Sequence, residues 1–321
     1  MMDRRIVFMG TPDFAVASLR ALVDAGIDVA AVITAPDRPA GRGRQMHMSA
    51  VKEFALSHPL LKDRILQPER LKDPDFHRKL NATGASLYVV VAFRMLPGTV
   101  WNRPALGTIN LHASLLPDYR GAAPINWAII NGEERTGATM FFVRHEIDSG
   151  DVIAKEGIAI GPEENAGELH DRLKEVGASL LVRTVHDILS GKSQRVQQDN
   201  IAASQLHHAP KLTTETCRID VSANAQRVHD RVRGLGPFPG AWTMWNETGK
   251  EPQHFKILRS RVIDDHTVAQ AGLITIDGER LILQCGTGRI DLLEIQPEGK
   301  RRMDAASFVR GLRNTEGITL A

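Results

Sequence analysis

Residues 107 to 151 read GTINLHASLLPDYRGAAPINWAIINGEERTGATMFFVRHEIDSGD. Within them, Thr108-Ile109-Asn110-Leu111-His112 alternates polar and apolar residues. A strand sends successive side chains to opposite faces, so Ile109 and Leu111 share one face and Thr108, Asn110 and His112 the other. The first face predicts burial. The second brings an amide and an imidazole together at the end of a strand. Ser114-Leu115-Leu116-Pro117 then turns the chain, and the backbone N–H and C=O groups of such a turn are available to grip a flat heterocycle. Pro124 to Ile130 predicts a helix stopped by Asn131-Gly132. Thr136 to Val143 predicts another strand, and RHEIDSGD at 144–151 a polar loop before a strand beginning at Val152.

An amide, an imidazole and a carboxylate suffice for acyl transfer without a covalent intermediate. The amide donates to a developing oxyanion. The imidazole moves the proton that an attacking amine must lose. The carboxylate orients the ring. Three acids compete for that last role, Glu146, Asp148 and Asp151, and spacing does not choose among them. The structural readings of the same residues are a hydrogen-bonded histidine at a strand end, an asparagine turn former and an Asx turn at Asp148. The stretch has no G-x-S-x-G elbow, His112 has no metal-ligand spacing, and both cysteines, Cys217 and Cys285, lie far from it.

Upstream, Ile6 to Met9 predicts a strand. Thr11 and Pro12 predict the cap and first turn of a helix striped by Phe14, Leu19, Leu22 and Val23, and Val29 to Ile33 predicts the next strand. Gly10 stands alone, so this βαβ opening is not a dinucleotide site. Residues 35–48, APDRPAGRGRQMHM, carry Pro36, Pro39, Gly41 and Gly43 and predict no regular structure. Their Arg38, Arg42 and Arg44 outweigh Asp37. They read either as a solvated surface loop or as a basic finger that orders on a phosphate backbone. Helices are expected at 49–57 and 69–81 with a short strand near Ile65-Leu66. Ala85 to Phe93 is nearly continuous apolar and predicts a central parallel strand. Its end, Phe93-Arg94-Met95-Leu96-Pro97, would reach the carboxyl edge where open α/β sheets bind ligands.

Downstream, an amphipathic helix at 163–190 closes a first domain at residue 191, and 192–208 reads as a linker. A second domain at 209–321 contains a short helix through Val228, Val232 and Leu235, bearing Arg227, Arg231 and Arg233. Strands follow at Ala241–Trp245, Phe255–Val262, Leu273–Ile276, Leu281–Gln284 and Ile290–Ile295, with a hairpin signal at Asp277-Gly278 and a last helix at 304–313. The fold class is α/β, an N-terminal doubly wound and mainly parallel sheet plus a small C-terminal β-barrel. Lys211 and Lys300-Arg301-Arg302 are candidate phosphate contacts there.

The whole chain sets wide bounds. It has 321 residues and a net charge of +2, too little by itself to imply nucleic acid. Two cysteines without zinc-like spacing fit a reducing compartment. MMDRRIVFMG runs directly into a strand pattern, and no apolar run reaches the ~18 residues of a membrane span. The expectation is a cytoplasmic monomer without a membrane segment or a metal.

The run from Asn110 to Asp148, with its N-x-H, S-L-L-P, T-G-x-T and D-x-G-D, resembles the folate-dependent formyltransferases. Gly10-Thr11-Pro12-Asp13-Phe14-Ala15, Pro36 to Arg44, Ala209-Pro210-Lys211 and Leu293 to Met303 extend the resemblance over the chain, toward the members that act on charged tRNA. It implies the formyltransferase fold with an OB-like barrel. It implies transfer of formyl from 10-formyltetrahydrofolate to the α-amine of initiator methionyl-tRNA, by direct amine attack, for translation initiation, with tetrahydrofolate as product. In the family's pattern Asn110, His112 and Asp148 are catalytic, which selects Asp148 among the three acids. Ser114, Leu115, Leu116 and Pro117 form the folate-binding turn, and Phe14 contacts the methionyl side chain. Arg42, Arg44 and Lys211 are placed on the tRNA. One departure is visible: Ala92-Phe93-Arg94-Met95 replaces the commoner A-Y-G-x-I-L and is one residue shorter. The rivals are a sugar-amine or glycinamide-ribotide formyltransferase, a formyl-folate hydrolase, and a non-catalytic RNA-binding protein.

Overall fold

Ile6–Gly10 is apolar and buried along its whole length, as an inner strand of a sheet covered on both faces must be. In the computed structural model, which describes residues 4–40, 45–198, 206–312 and 316–321, it pairs in parallel with Val29–Ile33 on one side and Leu87–Val91 on the other. The full sheet runs in the order Val152–Ala159, Arg135–Phe142, Thr108–His112, Leu87–Val91, Ile6–Gly10, Val29–Ile33, Ile65–Leu66. Thr108–His112 is the turning point. It is parallel to Leu87–Val91 and antiparallel to Arg135–Phe142, so the sheet is mainly parallel with an antiparallel side.

Two of the helices between these strands begin where the chain supplies a side-chain cap. Ser49 accepts from the Lys52 amide ahead of Ala50–Ser57, and Asp73 accepts from Asp75 ahead of Pro74–Ala82. The second of these starts five residues later than the expected 69, because Asp73-Pro74 is the cap-and-first-turn signal. The first helix, Asp13–Asp24, has Pro12 and not Thr11 at its N-cap, without a side-chain cap. Asn165 and Glu168 exchange amide hydrogen bonds as a capping box at the start of Ala166–Leu189.

The stretch expected to lack regular structure holds a short antiparallel ribbon, Arg38–Ala40 against Gln45–His47. A two-stranded edge tolerates the missing N–H of Pro39. Asp37 at its base is tied to Lys52 and to Gln67. Arg42 and Arg44, assigned above to tRNA, lie outside the described residues, as do 199–205 of the expected linker.

The chain forms two compact units, the first comprising Met1–Arg120, Gly137–Ile158 and His170–His207, the second Gly121–Thr136, Ala159–Leu169 and His208–Ala321. The segments 121–136 and 159–169 thus go with the C-terminal unit. Ile130 and Trp127 pack into its core, and Asn126 donates to the Gly234 carbonyl. Its sheet runs Ile274–Asp277, Arg280–Gln284, Arg289–Pro297, Gln253–Asp264, Ala241–Asn246, Thr319–Leu320. A bridge between Leu273 and Thr319 joins the two ends, so the antiparallel sheet is a nearly closed barrel. Phe255, Ile257, Leu281, Leu283, Leu292 and Ile295 fill it, and Ala225–Leu235 packs its apolar stripe into the same core. Among the described residues, no helix is long and apolar enough to cross a membrane.

Candidate active site

Thr108–His112 buries every residue except Asn110, which is half-buried. Its register sets Asn110 between Val90 and Phe141, so both flanks are held by the sheet. His112 is buried at the strand end, and its Nε2 lies 2.8 Å from the Tyr119 carbonyl oxygen. A carbonyl can only accept, so Nε2 carries the proton and donates. The other nitrogen, Nδ1, faces Asp148 Oδ2 at 3.8 Å.

The structure therefore brings His112 and Asp148 together across the end of the sheet. Asp151 is paired with Arg144 at 2.7 Å, and Glu146 is exposed. The arrangement differs from the expectation in one respect. The Tyr119 carbonyl orients the ring through Nε2, while the carboxylate faces the nitrogen that can take up a proton.

The Asp148 loop is shaped by its backbone. Asp148 sits at φ 52°, in the left-handed region that aspartate adopts more readily than most residues. Two residues on, a Cβ on Gly150 would lie 1.6 Å from the Phe142 carbonyl oxygen, so only glycine lets the loop close against the preceding strand.

The turn at Ser114–Pro117 is tightly built, with a cis Leu116–Pro117 bond. Ser114 Oγ donates to the Asp118 carbonyl at 2.6 Å. Thr139 Oγ1 donates to the Ser114 carbonyl at 2.7 Å and accepts from the Leu116 amide at 3.1 Å. Lys155 holds the Leu116 carbonyl. The expectation of free backbone groups thus fails for Leu116 and for the Ser114 carbonyl, because Thr139 and Lys155 engage them. The side chains of Ser114 and Leu116 are fully buried, whereas Leu115 and Pro117 are half-buried and offer apolar surface.

Phe14 is buried near the start of its helix, edge-on to His170 with ring centroids 5.2 Å apart. In the divergent segment after Leu87–Val91, Ala92 is at φ 46°, and Arg94 turns back to donate to the carbonyls of Glu69 and Pro68. Its charge serves this backbone anchor. In the second unit Lys211 is exposed on a cleft of about 550 Å³ that Lys256, His254, Trp242 and Phe238 also line. Arg302 is paired with Glu294, and Arg233 with Asp230, so neither is an uncommitted cation. Burial pushes both thiols up, Cys285 to about 12, which leaves them un-ionised and poor nucleophiles at neutral pH. Among the described residues, no group of three His, Cys, Asp or Glu is placed to hold a metal ion.

Sequence reasoning missed Tyr119, Arg120 and Gln198. Tyr119 acts through its carbonyl, which leaves no mark on residue type. Gln198 meets the Asp148 loop across 50 residues of chain.

Comparison with known proteins places both units. Residues 4–185 match the formyl transferase family, and residues 211–313 match the formyl transferase C-terminal domain. The chain belongs to the formyl transferase family and is an enzyme of that class. It is 47% identical over 320 residues to the methionyl-tRNA formyltransferase of Bacteroides fragilis, covering 99% of this chain and 98% of that one. The methionyl-tRNA formyltransferase of Azobacteroides pseudotrichonymphae is 48% identical over 312 residues, 96% of this chain and 95% of its own. A solved N-formyltransferase from Helicobacter canadensis, in complex with folinic acid and dTDP-3-aminofucose, has a TM-score of 0.64 at 16% identity over 92% of this chain and 100% of that one. At that identity the likeness is one of fold.

Proposed function

We propose that the chain transfers the formyl group of 10-formyltetrahydrofolate to the α-amino group of methionine on initiator tRNA, for translation initiation. The observation that carries the reading is the pairing of His112 with Asp148 at the end of the strand that presents Asn110. The near end-to-end likeness to methionyl-tRNA formyltransferases supports the choice of acceptor.

The amine attacks the formyl carbon directly, with no covalent enzyme intermediate. A new N–C bond forms, the bond to the folate nitrogen breaks, and one proton passes from the amine to that nitrogen. The side-chain amide of Asn110 donates to the formyl oxygen as negative charge collects there. The Nδ1 of His112 carries the proton between the two nitrogens, because its Nε2–H is already donated to Tyr119. A proton on Nδ1 lies between the ring and the Asp148 carboxylate. The folate ring covers Leu115 and Pro117, while Ser114 and Leu116 hold the turn in shape. Phe14 contacts the methionyl side chain, and Arg42, Arg44 and Lys211 contact tRNA phosphates.

The test is a formyl-transfer assay with 10-formyltetrahydrofolate and methionine-charged initiator tRNA, with charged elongator tRNA and an amino-sugar nucleotide as competing acceptors. Product on the initiator alone is expected. Faster formylation of the sugar nucleotide would overturn the acceptor. Folate turnover without any amine would make the enzyme a hydrolase. Asn110→Ala should lower kcat by about 10²–10³-fold with KM nearly unchanged, the loss typical of one oxyanion donor.

A further inference from the structure

Gln198 lies in a segment with neither helix nor long strand, held beside the sheet by the reciprocal backbone pairing of Val196 with Val152. The residue is 8% exposed, and both ends of its side-chain amide are engaged. Nε2 donates to the Asp148 carbonyl at 2.9 Å and to the Gly150 carbonyl at 2.8 Å. Oε1 accepts from Arg120, from Nη2 at 2.5 Å and Nε at 3.2 Å. The orientation of the amide is set by chemistry, since carbonyls only accept and a guanidinium only donates.

We infer that Gln198 is a positioning residue for formyl transfer, clamping the Asp148 loop so that its carboxylate stays opposite Nδ1 of His112. The inference rests on the proposed role of Asp148. Asp148 holds a left-handed backbone conformation, and the loop carries its carboxylate to 3.8 Å from the ring, so a small shift of the loop separates the two groups. Gln198 grips the carbonyls of Asp148 and Gly150, on either side of Ser149. Arg120, which holds the other end of the amide, is bonded in sequence to Tyr119, whose carbonyl orients His112 through Nε2. One short piece of backbone thus anchors both partners, the ring directly and the carboxylate through Gln198. A glutamine suits this place because it is neutral, reaches both sides and presents donor and acceptor at opposite corners.

Gln198→Glu tests the clamp. The variant keeps the size and a partner for Arg120, but sets an acceptor against two carbonyl oxygens. The measurements are kcat and both KM values for wild type, Q198E, D148N and the double variant, with a thermal melt of each. Expected is a kcat lowered by about 10–100-fold in Q198E, as for misplaced catalytic geometry, with both KM values within about twofold. The double variant should be no slower than D148N, because Gln198 acts only through Asp148. A kcat for Q198E within twofold of wild type, or equal further slowing of D148N, would overturn the inference. If D148N alone is as fast as wild type, the reading of Asp148 falls and the clamp with it, an outcome distinct from a slow D148N beside a fast Q198E. Should Q198E not fold, Gln198→Met, uncharged and of similar length but without the amide, carries the same expectations.

Discussion

A methyl group at residue 150 would meet the Phe142 carbonyl oxygen at 1.6 Å and its carbon at 2.8 Å, both backbone atoms that cannot rotate away. Gly150→Ala must therefore part the acidic loop from the end of Arg135–Phe142, and it strains the backbone that Gln198 holds. The expected result is a stability loss on the order of 3 kcal/mol in urea unfolding, the upper range for overpacking, and a fall in kcat of at least about tenfold. Gly98→Ala is the control, since its Cβ would have no neighbour closer than 4.0 Å. Legibility in the sequence was uneven at this scale. Asn110 and His112 could be read because period two forces them onto one face of a strand. Asp148 could not be separated from Glu146 and Asp151 by spacing, because which acid faces His112 depends on a left-handed backbone at 148 and on an arginine that engages Asp151. Gln198 left no local signal, since its partners are carbonyls, which every residue has.

The helix Ala225–Leu235 shows how far an amphipathic pattern reaches. Val228, Val232 and Leu235 marked its buried stripe correctly, but they did not mark His229, Asp230 and Arg233, which are buried as well. Arg233 was read only as one of three arginines carried by this helix. It pairs with Asp230 at 2.8 Å and donates to the carbonyls of Gly161 and Glu164. His229 has Nδ1 3.0 Å from Ser260 Oγ and Nε2 3.4 Å from the Pro162 carbonyl. Burial lowers its pKa from the usual 6.5, against the opposing pull of Glu163, the Pro162 carbonyl and Asp230 and alongside the repulsion of Arg233. The unfolded chain thus binds a proton at this residue more readily than the folded one, so stability rises with pH from the lowered folded value up to about 6.5 and is lost on acidification through that window. Thermal melts followed by tryptophan fluorescence would report it, because Trp127, Trp242 and Trp245 all lie in the C-terminal unit. Between pH 7 and 5, Tm should fall more in wild type than in His229→Gln, whose side chain cannot protonate. Equal falls would assign the acid sensitivity to other groups.

At the scale of the whole chain, the order of elements was the most legible feature. Alternating strands and helices up to residue 191 demand a parallel sheet, and short strands with turn signals beyond 209 demand an antiparallel barrel. The grouping of 121–136 and 159–169 with the C-terminal unit was not legible, since it depends on which core receives Trp127 and Ile130. Charge was a weaker guide. A net charge of +2 gives no general attraction for RNA, so under the proposed function affinity for tRNA would come from a few placed cations. Of that set, Arg302 is already paired with Glu294, whereas Lys211 is exposed on its cleft and Arg42 and Arg44 stand in a sequence rich in glycine with one nearby acid, Asp37, engaged by Lys52. Arg42→Ala and Lys211→Ala should therefore each raise KM for charged tRNA several-fold and leave KM for 10-formyltetrahydrofolate unchanged. Each should also flatten the fall of kcat/KM with salt, by about 0.9 in log–log slope for a duplex phosphate if the B-DNA value carries over and about 0.7 for a single strand. The slope separates two causes that KM alone confuses. A cation lost from a phosphate contact changes it, and a loop merely deformed does not. A raised KM for folate in Arg42→Ala would instead put the basic stretch against the formyl donor and leave tRNA affinity to the C-terminal cations.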